Sequence, residues 1–145
     1  MKKGVIFGTV AGGMLLALTG CGKEQVLSCI LEQDQTGMHL AMEMNVTFQN
    51  EENKSLTMTT QVDLEEDYTD YVDTLAESFE DQYATYKENG MDVDVQTSDS
   101  SVTAILEADF NQISDEEKEE LGFSPSDNDY DAVKETLESS GFTCK

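Results

Sequence analysis

The sequence predicts an α+β domain: an antiparallel sheet of about five strands in the order βββ-α-ββ-α-α, with helices packed on one face. Three observations carry that expectation. Met38, Leu40, Met42, Met44, Val46 and Phe48 alternate with His39, Ala41, Glu43, Asn45, Thr47 and Gln49, which marks a strand with a single buried face. The period then changes, with Tyr68, Tyr71, Val72, Leu75, Phe79, Tyr83 and Tyr86 three and four residues apart, as an apolar stripe on a helix requires. Alternation returns over Met91–Gln96 and Val102–Phe110.

In chain order, Val26 to Glu32 reads as a first strand, with Leu27, Cys29 and Leu31 on one side and Val26, Ser28 and Ile30 on the other. Gln33-Asp34-Gln35-Thr36-Gly37 is a turn whose glycine tolerates positive φ. The second strand, from Met38 to Gln49, is the clearest in the chain. Asn50 to Lys54 turns it back, and Leu56, Met58, Thr60, Val62 and Leu64 form a third strand, completing a meander. The helix is expected from about Asp67 to Glu88, with acids in its first turn and Asn89-Gly90 as its stop. A hairpin around Ser98-Asp99-Ser100 follows. Ser114-Asp115-Glu116-Glu117 is a capping box for a short helix ending at Gly122, and a last helix runs from about Tyr130 to Ser139. Phe142-Thr143-Cys144-Lys145 leads back toward Cys29.

The N-terminus is an address. Lys2 and Lys3 precede an apolar run from Gly4 to Leu18, and small residues follow, the three parts of a secretory signal over residues 1–20. At roughly 15 residues the run falls short of the ~20 that a membrane-spanning helix needs. Leu18-Thr19-Gly20-Cys21 resembles the lipobox of bacterial lipoproteins. That resemblance implies a diacylglyceryl group on the Cys21 sulfur and cleavage just before it. Two or more acyl chains hold a protein stably on a bilayer. The expected organisation is a signal at 1–20, a short lipid-anchored tether at 21–25 and one α+β domain over 26–145.

Removing residues 1–20 takes away two of the eight basic residues and none of the 31 acids, so the mature chain carries a net charge of −25. Such a surface excludes nucleic acid and is repelled by anionic headgroups. It favours basic partners or divalent cations in a general way, and it also serves solubility. Apolar residues are frequent and periodic enough for folding to win over disorder.

Three cysteines in an exported chain leave one over. Lipidation accounts for Cys21, leaving Cys29 near the start of the domain and Cys144 near its end. A Cys29–Cys144 disulfide is expected, with two free thiols or an intermolecular bond as the alternatives. The layout behind the lipobox resembles the YehR-like group of small bacterial lipoproteins, of unknown function. That resemblance implies no site residue beyond the anchor.

Chemistry is harder to find. His39 is the only histidine and is placed on the outward face of the second strand, so no His-based metal cluster can form within one chain. G-x-S-x-G, P-loop and H-E-x-x-H patterns are absent from the sequence. Asp127, Asp129, Asp131, Glu135 and Glu138 have the spacing of a calcium loop, but Ala132 stands where that loop turns on glycine, and helical periodicity favours a helix start. Met38, Met42, Met44, Met58 and Met91 could offer thioethers to Cu(I), yet they share their faces with core residues. Glu43, Asp92, Asp94 and Glu107 are outward carboxylates that could meet across strands. The expectation is a non-enzymatic, lipid-anchored extracytoplasmic domain without a cofactor, binding a protein or envelope component. A weakly cation-binding lipoprotein is the alternative.

Overall fold

Alternating strands can bury their apolar sides together only if pairing keeps those sides in register. The computed structural model describes residues 23–124 and 129–145. The expected signal peptide, Cys21 and Asp127 lie outside the described residues. The elements are β1 (Glu24–Gln35), β2 (Met38–Gln49), β3 (Glu52–Leu64), a 3-10 helix (Glu66–Tyr71), α1 (Val72–Glu88), β4 (Asp92–Thr97), β5 (Ser101–Asp109), α2 (Asp115–Glu120), α3 (Tyr130–Ser139) and β6 (Thr143–Cys144). The strands make one antiparallel sheet in the order β4-β5-β3-β2-β1-β6. The fold is α+β, with six strands rather than about five. The extra strand, β6, is two residues long, too short to show a period in sequence.

Register does what the pattern demands. Cys29, Met44, Met58, Leu106 and Val93 form one row across β1, β2, β3, β5 and β4, all on the core side. The adjacent row, Ser28, Asn45, Thr57, Glu107 and Asp92, faces the other way and is polar throughout. Leu27, Val46, Leu56, Val102 and Leu106 are fully shielded in the centre. α1 packs over β4 and β5, and α3 over β1 and β6. Phe79 and Tyr83 of α1 enter the core, where the Tyr83 hydroxyl lies 3.3 Å from Thr60 Oγ1. Tyr130 at the start of α3 packs its ring tilted against Phe48, and Phe123 after α2 does the same against Phe110.

Several boundaries differ from the sequence reading for local reasons. β1 takes in Glu24 and Gln25, expected in the tether, and runs on to Gln35, so the first turn shrinks to Thr36-Gly37. The second turn shrinks to Asn50-Glu51, both at positive φ (53° and 69°), the type I′ geometry that matches strand twist. β3 therefore begins at Glu52, and a register shift opposite Thr47/Phe48 absorbs Lys54 as a bulge. Met91 is not part of β4 but is buried immediately before it. The long helix opens as a 3-10 turn over Glu66–Tyr71. Ser114 and Glu117 complete the capping box of α2, and the Asp129 carboxylate accepts the Ala132 N–H at 2.9 Å as the cap of α3. Asp129 is thus occupied in starting a helix.

The two ends of the domain are joined covalently. Cys29 and Cys144 face each other in the β1–β6 register and form a disulfide. The Lys145 N–H donates to the Ser28 carbonyl at 2.9 Å, continuing the ladder by one bond. The bond closes a loop of 115 residues, the kind of long closure that gains most in the chain-entropy account. Replacing both cysteines by alanine is expected to lower unfolding free energy by about 2–5 kcal/mol, read from urea denaturation.

Gly37 is a second point of control. Its φ is +85°, and a Cβ there would drive into the ring of Tyr68. The Gly37 carbonyl accepts the Glu65 N–H at 3.0 Å, so this turn seats the 3-10 segment. Gly37→Ala should cost about 1–3 kcal/mol in thermal or urea unfolding, from left-handed backbone strain and displacement of Tyr68.

Candidate functional site

The sheet has two distinguishable ends. The chain enters at one of them: Lys23 precedes β1, and its carbonyl accepts the Asn50 N–H of the β2–β3 turn at 3.4 Å. β1 and β2 then run twelve residues to the Thr36-Gly37 turn, about 40 Å away at strand rise. At that far end the 3-10 helix begins and the β4–β5 turn closes, with the Leu64 N–H donating to the Ser100 carbonyl at 2.7 Å.

The far end carries the exposed aromatics. Tyr71 is 61% exposed, Tyr68 37% and Met38 36%. Tyr68 and Tyr71 lie with ring centroids 6.4 Å apart, Tyr68 rests on Gly37, and Met38 is the next residue. The sequence reading places both tyrosines in the buried stripe of the helix, and the structure overturns that. A 3-10 segment turns once per three residues, so residues 68 and 71 stack on one side. That side is rotated away from the α-helical stripe of Val72, Phe79 and Tyr83, which is buried. Met38 departs in the same way from the core role expected of the methionines, whereas Met44 and Met91 are buried and Met58 packs against the core.

The surroundings of this patch are acidic. From residue 55 to residue 86 the chain has nine acids and neither lysine nor arginine. Glu65, Glu66, Asp67, Asp70 and Asp73 are all exposed around the tyrosines. The described lysines lie elsewhere. Lys23 and Lys54 are at the entry end, Lys118 follows β5 in α2, Lys134 lies in α3 beside Glu138, and Lys87 and Lys145 sit near mid-sheet beside Asp92 and Ser28.

His39 stands on the outer face of this same end, opposite Asp34 on β1 and Asp63 on β3. Its Nδ1 lies 2.6 Å from Asp34 Oδ1 and its Nε2 3.9 Å from Glu32 Oε1. The Asp34 hydrogen bond is the main cause that raises its pKa above the ordinary 6.5; partial desolvation opposes it, while the charges of Asp34, Glu32 and Asp63 add to it. Both ring nitrogens therefore face carboxylates, and the outward histidine is half-buried rather than freely solvated.

The other sequence candidates separate. Asp92 and Glu107 pair directly across β4 and β5, with Asp94 two residues on, beside an open hollow of about 430 Å³ that Lys87 also lines. Glu43 does not join them: its row runs Glu43, Thr59, Ile105, Asp94, which puts it about 14 Å from Asp94 at three strand spacings. Among the described residues no group of three or more His, Cys, Asp or Glu side chains could hold a metal ion. Cys29 and Cys144 are consumed by their disulfide.

No protein-family model matches the chain, and no curated protein matches its sequence. Solved structures do. The chain is similar to the YehR protein of Escherichia coli, solved by NMR, with a TM-score of 0.62 at 13% identity over 86% of this chain and 93% of that one. It is also similar to a Streptococcus pneumoniae TIGR4 protein solved by NMR, with a TM-score of 0.51 at 12% identity over 90% of each chain. What is shared is the fold. The likeness spans nearly the whole of both neighbours, so the sheet-and-helix arrangement is common to all three.

The histidine gives this region a titratable reporter. A proton favoured in the folded state stabilises it fully below the unfolded-state pKa, and that contribution is lost as pH rises through the folded-state pKa. NMR titration of the His39 ring should give a pKa above 6.5, and Asp34→Asn should bring it back toward 6.5.

Proposed function

We propose that this protein is a lipid-anchored, extracytoplasmic, non-enzymatic domain that binds a protein or another envelope component. The observation that carries the binding part is the exposed cluster of Tyr71, Tyr68 and Met38, which holds the exposed aromatic rings; the other large exposed apolar side chains, Val26 and Ile30, stand on the outer face of β1. The anchoring part rests on Leu18-Thr19-Gly20-Cys21 behind its basic and apolar signal. A disulfide between the domain's ends supports an oxidising compartment.

β1 begins at Glu24, which leaves Gly22 and Lys23 between Cys21 and the sheet. A lipid on Cys21 would hold the entry end within about 10 Å of the bilayer. The far end, with its tyrosines, would then face away from the surface. Net charge of −25 on the mature chain pushes in the same direction, because anionic headgroups repel it over about one Debye length. The alternative of a cation-binding lipoprotein is the weaker reading, since Glu43 on β2 is parted from Asp92, Asp94 and Glu107 on β4 and β5, and no three acidic side chains among the described residues converge on one point.

Intact mass spectrometry of protein from its own cells tests the anchor. The expected species begins at Cys21 and carries a diacylglyceryl group, and Cys21→Ala should release the chain from the membrane fraction. An unmodified chain beginning at Met1 and recovered from cytosol would refute the reading.

A further inference from the structure

We propose that the far end of the sheet, built around Tyr71, Tyr68 and Met38, is the docking surface for a lysine- or arginine-bearing segment of a partner protein. This names the partner class for the binding reading above and rests on it. The apolar groups gather at one turn: Tyr68 lies on Gly37, Tyr71 lies beside Tyr68, and the exposed Met38 is the residue after Gly37. It is also ordered before any partner arrives, because Tyr68 is held by the turn and by the Tyr68 N–H to Glu65 carbonyl bond at 2.8 Å. A preordered aromatic surface loses little freedom on binding.

Charge selects the occupant. Acids surround the tyrosines, and the nine acids between residues 55 and 86 have no lysine or arginine among them to neutralise them locally. A partner that brings Lys or Arg gains from these carboxylates and from the faces of the tyrosine rings together. A second copy of this chain would bring the same acids to the same place, because a two-fold contact apposes identical patches. An anionic bilayer or a nucleic acid is repelled for the same reason. A bare cation has no use for Met38 and Tyr71, whereas a polypeptide segment covers both the apolar and the charged parts.

The test uses the mature full chain in neutral-detergent micelles and a displayed library of random twelve-residue peptides. Selection should enrich sequences with two or more Lys or Arg residues, and an enriched peptide should shift NMR signals of Met38, Tyr68 and Tyr71. Tyr71→Ser, at a residue 61% exposed and so harmless to folding, should weaken that peptide at least tenfold. Asp67→Asn with Asp70→Asn should flatten its salt dependence, while Asp92→Asn, at mid-sheet in β4, leaves it unchanged. Enrichment of neutral or acidic peptides, signals that map to β4, displacement by spermidine at matching concentration, or self-association through Tyr71 would each overturn the assignment. Those results leave the anchored binding-domain reading standing. A library that yields no binder counts against the docking surface, whereas a cytosolic, unlipidated native chain removes the wider reading whatever the peptides do.

Discussion

One-sided burial governs this molecule. Each long strand offers apolar side chains at every second position, and the pairing register collects them on a single face, from Leu27 through Val46 and Leu56 to Ala108. Because the side-chain period is two, a slip of one residue anywhere would turn a whole strand's apolar set to solvent. The devices at the strand ends keep that from happening. Asn50 and Glu51 take positive φ to make a two-residue turn, the bulge at Lys54 restores Leu56 to the inner face, and Gly37 permits the opposite turn. Helices then need to cover only one side, and the outer side is free to be polar.

The strands were legible because alternation is a direct imprint of that burial. Met38 to Phe48 states its face residue by residue, and the capping box at Ser114 and Glu117 states a helix start. What the sequence could not convey falls into two kinds. Sheet order depends on long-range pairing, so nothing local showed that β5 would insert between β3 and β4, or that Glu43 would be parted from Asp92 and Asp94. The second kind is a change of helical pitch. Tyr68 and Tyr71 fit an α-helical stripe in sequence, but a 3-10 turn seated on Gly37 rotates them outward. The contact joins positions 37 and 68, which are far apart in sequence, so no local period could announce it.

That rotation makes the proposed docking surface. The same segment that exposes the tyrosines is the one stripped of lysine, and it lies at the end of the sheet opposite the chain's entry. Packing, charge and position therefore converge on one place through different parts of the sequence. The hollow between α1 and β4 has no such convergence. Asp92 and Glu107 repel across it, Lys87 partly offsets them, and no aromatic ring is exposed there. The fold that carries this surface is shared with YehR and the Streptococcus pneumoniae protein.

The bond between Cys29 and Cys144 also sets how the molecule bears load. Tension applied between the N-terminus and Lys145 travels along the first few residues of β1, across the sulfurs and out through one residue. The 115 residues of separation between the cysteines stay slack. A pull of that kind loads only the start of β1 ahead of Cys29 and the last residue, and the strands enclosed between the two sulfurs are not stretched.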